Sequence, residues 1–244
     1  MSTANGGIIG PTRTINVASI SGVWSTSQMY IEQTAGTWPG SRPPVAGYIG
    51  WYVGEASLSG TSWLDLSGNG NHATVTRGSV IGGSDTGNGC SKTVSYIEGN
   101  ANGGLRFPAA ILPSTYTLFF VARYTGGSRR RIMDGIAQNW LSGFWGGGTG
   151  IAHHNGWLTG QPDTHGNNWF ISTDQNNLYR SNKVTRGSSG AGSPSNDQLS
   201  INHGNYGETS DWQVAEVIVY NSTLSSDNYI LVEDYLNRKY GFGL

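Results

Sequence analysis

The segment Tyr116–Thr125, YTLFFVARYT, constrains the fold more than any other stretch of the chain. Tyr116, Leu118, Phe120 and Ala122 alternate with Thr117, Phe119, Val121 and Arg123, and both series are largely apolar at the centre. A strand that is apolar on both faces belongs in the middle of packed sheets. Trp212–Asn221, WQVAEVIVYN, is the second such run. Gln198–Asn202 and Trp169–Thr173 are shorter candidates, and Thr74-Val75-Thr76 begins another. The segments between them are rich in Ser, Thr and Asn, and 38 of 244 residues are Gly. Many short strands joined by turns, with abundant Trp and Tyr for sheet faces, predict a single large all-β domain and not a disordered chain.

The two ends read differently. Leu224–Phe242 carries Ser225 or Ser226 as helix N-cap, Asp227 in the first turn, and Tyr229, Val232, Leu236 and Tyr240 at helical spacing. Arg238 and Lys239 close the last turn and Gly241 follows. This predicts an amphipathic helix over 225–240 that docks on the sandwich. Residues 1–42 are punctuated by Gly6, Gly7, Gly10 and Pro11, with a short helix from Ser25 or Thr26 through Glu32. They read as an extended arm that packs on the body or on a neighbour, with the boundary at Ser41–Pro44.

Composition excludes several functions. The formal net charge is −1 and no basic stripe tracks a nucleic-acid backbone. Arg129-Arg130-Arg131 reads as a solvated hairpin loop. Cys90 is the single cysteine, so neither an internal disulfide nor a CxxC motif is possible. The opening MSTANGGIIGP lacks the pattern of a standard signal peptide, and no apolar run approaches membrane-spanning length. Asn221-Ser222-Thr223 is a glycosylation sequon expected to be unused.

Gly68, Gly70 and Ala73 in WLDLSGNGNHA spell the glycine fingerprint of a dinucleotide-binding turn. That fingerprint needs a buried apolar strand before it and a helix after it. Here Asp65 interrupts the preceding run, and Asn71, His72 and the β-branched residues that follow are poor helix formers. The stretch reads as an Asn/Gly turn between two strands.

Taken together, W-x-D-x-S-G-N-G-N-x-A at Trp63–Ala73, the YIEGNANGGLRF region, YTLFFVARY, and the ending AEVIVYN-x-x-L followed by a helix closing on YLNRKYG resemble a laminin-G-like domain of the concanavalin A-like jelly-roll class. The resemblance spans about Gly47 to Gly241. It implies an all-β jelly-roll sandwich over residues 43–244, with an N-terminal extended arm and a C-terminal helix, in which the D-x-S-G-N-G-N turn is structural. The arm, GGIIGPTRT followed by ASISGVWSTSQMYIEQTAGTWP, resembles those of virion structural proteins of large aquatic DNA viruses and tailed phages. That implies a non-enzymatic component of a virus particle (a minor capsid, decoration or fibre protein), assembled in a host cell, partnered by other virion proteins through the arm and with host surface glycans as candidate ligands. A soluble carbohydrate-binding module is the alternative reading and a glycan hydrolase the third.

The residues favour binding over catalysis. Retaining glycosidases need two carboxylates about 5 Å apart, and no Glu or Asp here follows the glucanase E-x-D-x-E spacing. Glu216 is a lone acid among apolar neighbours, expected to be partly buried and to hydrogen-bond a neighbouring strand. No G-x-S-x-G elbow occurs, and Cys90 sits in a loop-like context. Adjacent His153 and His154 fall on opposite faces of a strand or in a loop and suit no shared metal. Some laminin-G domains bind Ca²⁺, but the acids here are too scattered to nominate a cage, and no cofactor is expected. Trp140, Trp145, Trp157, Trp169 and Tyr179 lie close in sequence to His153, His154, Asn155 and several other Asn residues. Most of these rings are expected to fill the core. Trp145, His153, His154, Asn155, Trp157 and Trp169 are the candidates for stacking on sugars and bonding their hydroxyls, with HHNGW read as an exposed turn.

Overall fold

A computed structural model describes residues 42–109, 111–188 and 197–244; the arm and its short helix lie outside the described residues. Residues 47–244 form one unit. In chain order its strands are β1 (Tyr48–Val53), β2 (Leu58–Ser59), β3 (Ser62–Trp63), β4 (Ala73–Arg77), β5 (Ile81–Gly87), β6 (Cys90–Gly99), β7 (Gly104–Arg106), β8 (Thr117–Tyr124), β9 (Met133–Gly135), β10 (Trp140–Trp145), β11 (Gly148–His154), β12 (Phe170–Gln175), β13 (Leu178–Ser181), β14 (Val184–Gly187), β15 (Leu199–Ile201) and β16 (Trp212–Tyr220), followed by helix α1 (Ser226–Tyr240). They form two antiparallel sheets. One runs β14-β13-β12-β8-β16-β6-β5, with β1 also on β16. The other runs β11-β10-β9-β15-β7-β4-β3-β2. The all-β sandwich with a C-terminal helix is therefore the observed fold.

The apolar alternation explains the layering. All residues of β8 and of β16 are buried. Leu118, Phe120, Ala122 and Tyr124 pack with Trp63, Leu105, Met133, Trp140, Phe144 and Leu199 of the opposite sheet in one core. The other face of this sheet carries α1, bonded to Glu216 of β16 and Thr173 of β12, and the residues of β8 and β16 on that face are buried too. Ser225 caps the helix by accepting from the Asn228 amide, and Gly241 ends it with φ +72, as the sequence predicts.

One detail departs from simple alternation. The register of β16 on β8 shifts between Val214 and Glu216. This bulge at Ala215 reverses the parity of the strand: Trp212, Val214, Val217 and Val219 face the core, so Glu216 does not share a face with Val214, as two-residue spacing would give. Without the extra residue a carboxylate would point between the sheets. Instead, fully buried Glu216 accepts from Trp51 Nε1 (2.7 Å), Tyr235 OH (3.0 Å), Tyr240 OH (2.7 Å) and Lys239 Nζ (2.7 Å). It joins β1, β16 and α1. The expectation that it bonds a neighbouring strand holds for Trp51, and the helix supplies the other donors. Burial, with Glu216 adding to it, pushes both tyrosine hydroxyls well above their ordinary pKa, so they stay protonated as donors.

The GNGN stretch is the loop between β3 and β4. Asp65 accepts from the amides of Trp51 (2.9 Å), Ser67 (2.8 Å) and Asn71 (2.9 Å). Asn71 donates back to the Ile49 carbonyl at 2.7 Å. Gly68 (φ +90) and Gly70 (φ +75) supply the left-handed turns this path requires. The loop latches onto β1, with its Ser67 and Asn71 amides bonded to Asp65 and its Asn69 amide to Ser67 Oγ, and a strand follows it in place of a helix.

Candidate functional site

The hairpin of β10 and β11 turns at Gly146-Gly147, both at positive φ as a two-residue turn of this kind demands. Trp145, at the end of β10, is thereby held at the tip and is 38% exposed. His153 of β11 bridges to Trp157 after the turn at Asn155 and Gly156. Trp157, 49% exposed, stands edge-to-face with Trp145 (centroids 5.2 Å apart, 66° between planes) and with His153 (4.9 Å, 81°). The two indoles form a ridge between two depressions.

On one side is a polar cleft of about 450 Å³ lined by Arg131, Asn139, Leu141, His153, Tyr206 and Glu208 as well as the ridge. On the other is an apolar slot of about 240 Å³, lined by Gly146, Gly148, Ile151, Gly160 and Pro162 and again by both tryptophans. Arg131 organises the cleft. Its Nε donates to Glu208 (2.6 Å), Nη1 to Asp134 (3.0 Å) and Nη2 to Asn139 (2.9 Å), and exposed Tyr206 lies over its guanidinium at 4.5 Å. Trp145 Nε1 donates to the other Glu208 oxygen at 3.3 Å. Burial raises Asp134 to about 7 against the pull of Arg131. The Asp134 carboxyl is sealed behind Arg131 and packs against Gly204, where a Cβ would strike it. Burial also lowers the His153 pKa, and its Nδ1 meets the Asn139 carbonyl at 2.8 Å. Nδ1 is therefore the donor, and Nε2 is left as an acceptor.

The candidates sort by parity and packing. Trp145, His153 and Trp157 converge on the ridge and cleft. His154 is the neighbour on the opposite face: it is fully buried, stacked on Trp140 (5.8 Å, 13°), and its Nε2 lies 3.1 Å from Asp174. HHNGW is thus half strand and half turn, and His154 cannot meet a ligand. Trp169 is 2% exposed, just before β12, and packs against Tyr96 and the Arg123 guanidinium of the other sheet. Asn155 is exposed, but its Oδ1 accepts from the Asn139 amide and its Nδ2 donates to Gln138, so it fastens the 138–139 loop. Sequence reasoning missed Arg131, Tyr206 and Glu208. Arg131 was expected to be solvated and is 4% exposed; only the alternation of burial after β8 could have signalled it. Among the described residues no group of three or more His, Cys, Asp or Glu is arranged for a metal, and no helix is long and apolar enough to cross a membrane.

Solved structures share the fold. Domain 4 of AbnA, an extracellular GH43 arabinanase from Geobacillus stearothermophilus solved with arabinotriose, matches with a TM-score of 0.56 at 16% identity, over 78% of this chain and 98% of that one. The binding domain of Paraclostridial Mosquitocidal Protein 1 matches at 0.51 and 15%, over 78% of this chain and 53% of that one. Trypanosoma rangeli sialidase, solved with the inhibitor DANA, matches at 0.50 and 14%, over 81% of this chain and 34% of that one. These are likenesses of fold: this chain corresponds to the whole of the first and to about a third of the sialidase. No protein-family model matches the sequence, and no curated protein matches it significantly.

Proposed function

We propose that this chain is a non-enzymatic carbohydrate-binding sandwich that displays the Trp145–Trp157 ridge to glycans. The observation that carries the reading is the pairing of two exposed indoles with a carboxylate, an imidazole acceptor and a tyrosine in one cleft. Such a set supplies a stacking surface for sugar C–H faces and partners for hydroxyls. Solved neighbours that include binding domains are in keeping with it. Binding is favoured over hydrolysis because Asp134, which shares Arg131 with Glu208, is buried away from the cleft, so among the described residues lining it Glu208 has no second carboxylate beside it.

A glycan array probed with a multimer of the full chain tests this. Stacking on one ring contributes on the order of 1 kcal/mol, so Trp157→Ala is expected to weaken binding several-fold while the protein stays folded. Unchanged binding by a folded variant, or release of reducing sugar that Glu208→Gln abolishes, would sink the reading.

The arm supports a second element. Residues 1–42 resemble the arms of virion structural proteins, and on that resemblance the chain is a particle component that carries many weak sites on one surface. Multivalency then raises avidity without new contacts. Deleting residues 1–42 is expected to leave the sandwich folded and unable to join the particle. Normal incorporation of the truncated chain would show that the arm is not the anchor.

A further inference from the structure

We infer that the site selects neutral sugars that carry a methyl group, as 6-deoxy or N-acetyl sugars do, and rejects carboxylated and sulfated ones. The inference rests on the glycan-binding reading above and specifies its ligand class.

Charge decides the first half. A carboxylated or sulfated sugar needs a cation whose donors are available. Arg131 is the cation of the cleft; three of its five N–H groups are committed to Glu208, Asp134 and Asn139, and its side chain is only 5% exposed. Its flat face is covered by Tyr206. What the cleft offers outward is chiefly acceptors: the half-buried Glu208 carboxylate, 26% exposed, and His153 Nε2 on a ring that is neutral at pH 7, with the exposed Tyr206 hydroxyl, which both donates and accepts, beside them. Acceptors suit sugar hydroxyls, which donate, and repel anions. Arg129 and Arg130 line a different depression across the hairpin tip, with Gly127, Gly146 and Gly147. Dependence on Trp157 therefore assigns a glycan signal to the cleft.

The slot decides the second half. It begins on the far side of the same two indoles, and apart from glycine backbone its walls are Ile151 and Pro162. A sugar ring lying on the ridge with hydroxyls toward Glu208 projects its opposite edge there. A hydroxyl at that edge would lose its water partners against Ile151 and Pro162, whereas a methyl group loses none.

The experiment compares the full-length wild type, Glu208→Gln, Trp157→Ala and Gly160→Phe on immobilised glycans ending in fucose, rhamnose or N-acetylglucosamine, in galactose or glucose, and in sialic acid or sulfated galactose. A Cβ at Gly160 meets nothing within 4 Å, so the phenylalanine enters open space on the slot wall without backbone strain. The expected result is preference for the methyl-bearing neutral set and about tenfold weaker binding in Glu208→Gln, since a hydrogen bond to a charged group is lost. Gly160→Phe should remove the preference for methyl over hydroxyl. Thermal unfolding of each variant confirms that it is folded. Sialylated or sulfated glycans bound in a Trp157-dependent manner, or methyl-free sugars bound as well as the others, would overturn this inference and leave the binding reading intact. Absence of binding to every glycan would overturn both.

Discussion

Glu216→Ala is expected to destabilise the protein by about 3–5 kcal/mol, the range for removing one member of a buried, hydrogen-bonded charge pair. The carboxylate is fully buried and is the shared acceptor of Trp51, Tyr235, Lys239 and Tyr240. Three structural elements lose their common anchor at once. The loss should concentrate in α1, whose polar attachments to the sheet also include Arg180 on Glu233 at 2.8 Å. Denaturant unfolding measures the total, and hydrogen exchange of the 226–240 amides locates it. Glu216→Gln should recover only part, because its amide nitrogen faces donors where an acceptor is needed. A cost below about 1 kcal/mol for the alanine variant would mean that α1 is held by its apolar stripe alone.

The same residue shows how far the sequence could be read. β8, β16 and α1 were legible because their patterns are long and their signals local: two apolar faces, a cap at each helix end. The structural reading of the Asp65–Asn71 loop rested on equally local chemistry, the lack of a helix after the glycines. The bulge at Ala215 was not legible. It inserts one residue opposite β8 and turns Glu216 toward the helix, and no feature of VAEVIVY announces it. The site fared likewise. Trp145, His153 and Trp157 come from one hairpin and its following turn, and could be gathered by proximity in sequence. Arg131 and Glu208 lie 77 positions apart. They meet because β9 and β15 pair and carry their flanking loops together, a long-range event that composition cannot encode. Strand parity separated His153 from His154, but which of the two faced outward depended on where the core lay.

Asp174→Asn is expected to cost a similar 3–5 kcal/mol, through a network wholly inside the sandwich. Asp174 on β12 faces His154 on β11 of the other sheet, with Tyr116 OH donating to Asp174 at 2.8 Å and Trp140 Nε1 donating to Tyr116 at 3.0 Å. Burial opposes protonation of His154, but the Asp174 carboxylate outweighs it and the pKa is raised. The sign follows from linkage. A histidine whose folded pKa exceeds its unfolded value near 6.5 gives its full stabilisation below pH 6.5 and loses it as pH rises through the folded value. The wild type should therefore lose stability between neutral and alkaline pH, and Asp174→Asn should be less stable throughout and lack that part of the slope. Urea unfolding at intervals from pH 6 to 9 measures both. A wild-type profile flat across that range would mean that His154 is neutral in the fold and that the pair is a hydrogen bond between a neutral ring and a carboxylate.

The position of β16 bears on how the chain comes together in time. This strand lies between β8 on one edge and β6 and β1 on the other, yet it is the last strand of the unit to leave the ribosome. Tyr48 of β1 pairs with Tyr220, so the first strand waits for the last. Until then β8, β6 and β1 present open edges, and loop closure across most of the domain precedes any reward from pairing. The sheet therefore closes only once β16 is available, and its folding is slow on the scale of helical domains, in milliseconds to seconds. Thr117–Tyr124 can pair with β12 on one edge once residues 170–175 are made, but its other edge stays open until β16 arrives.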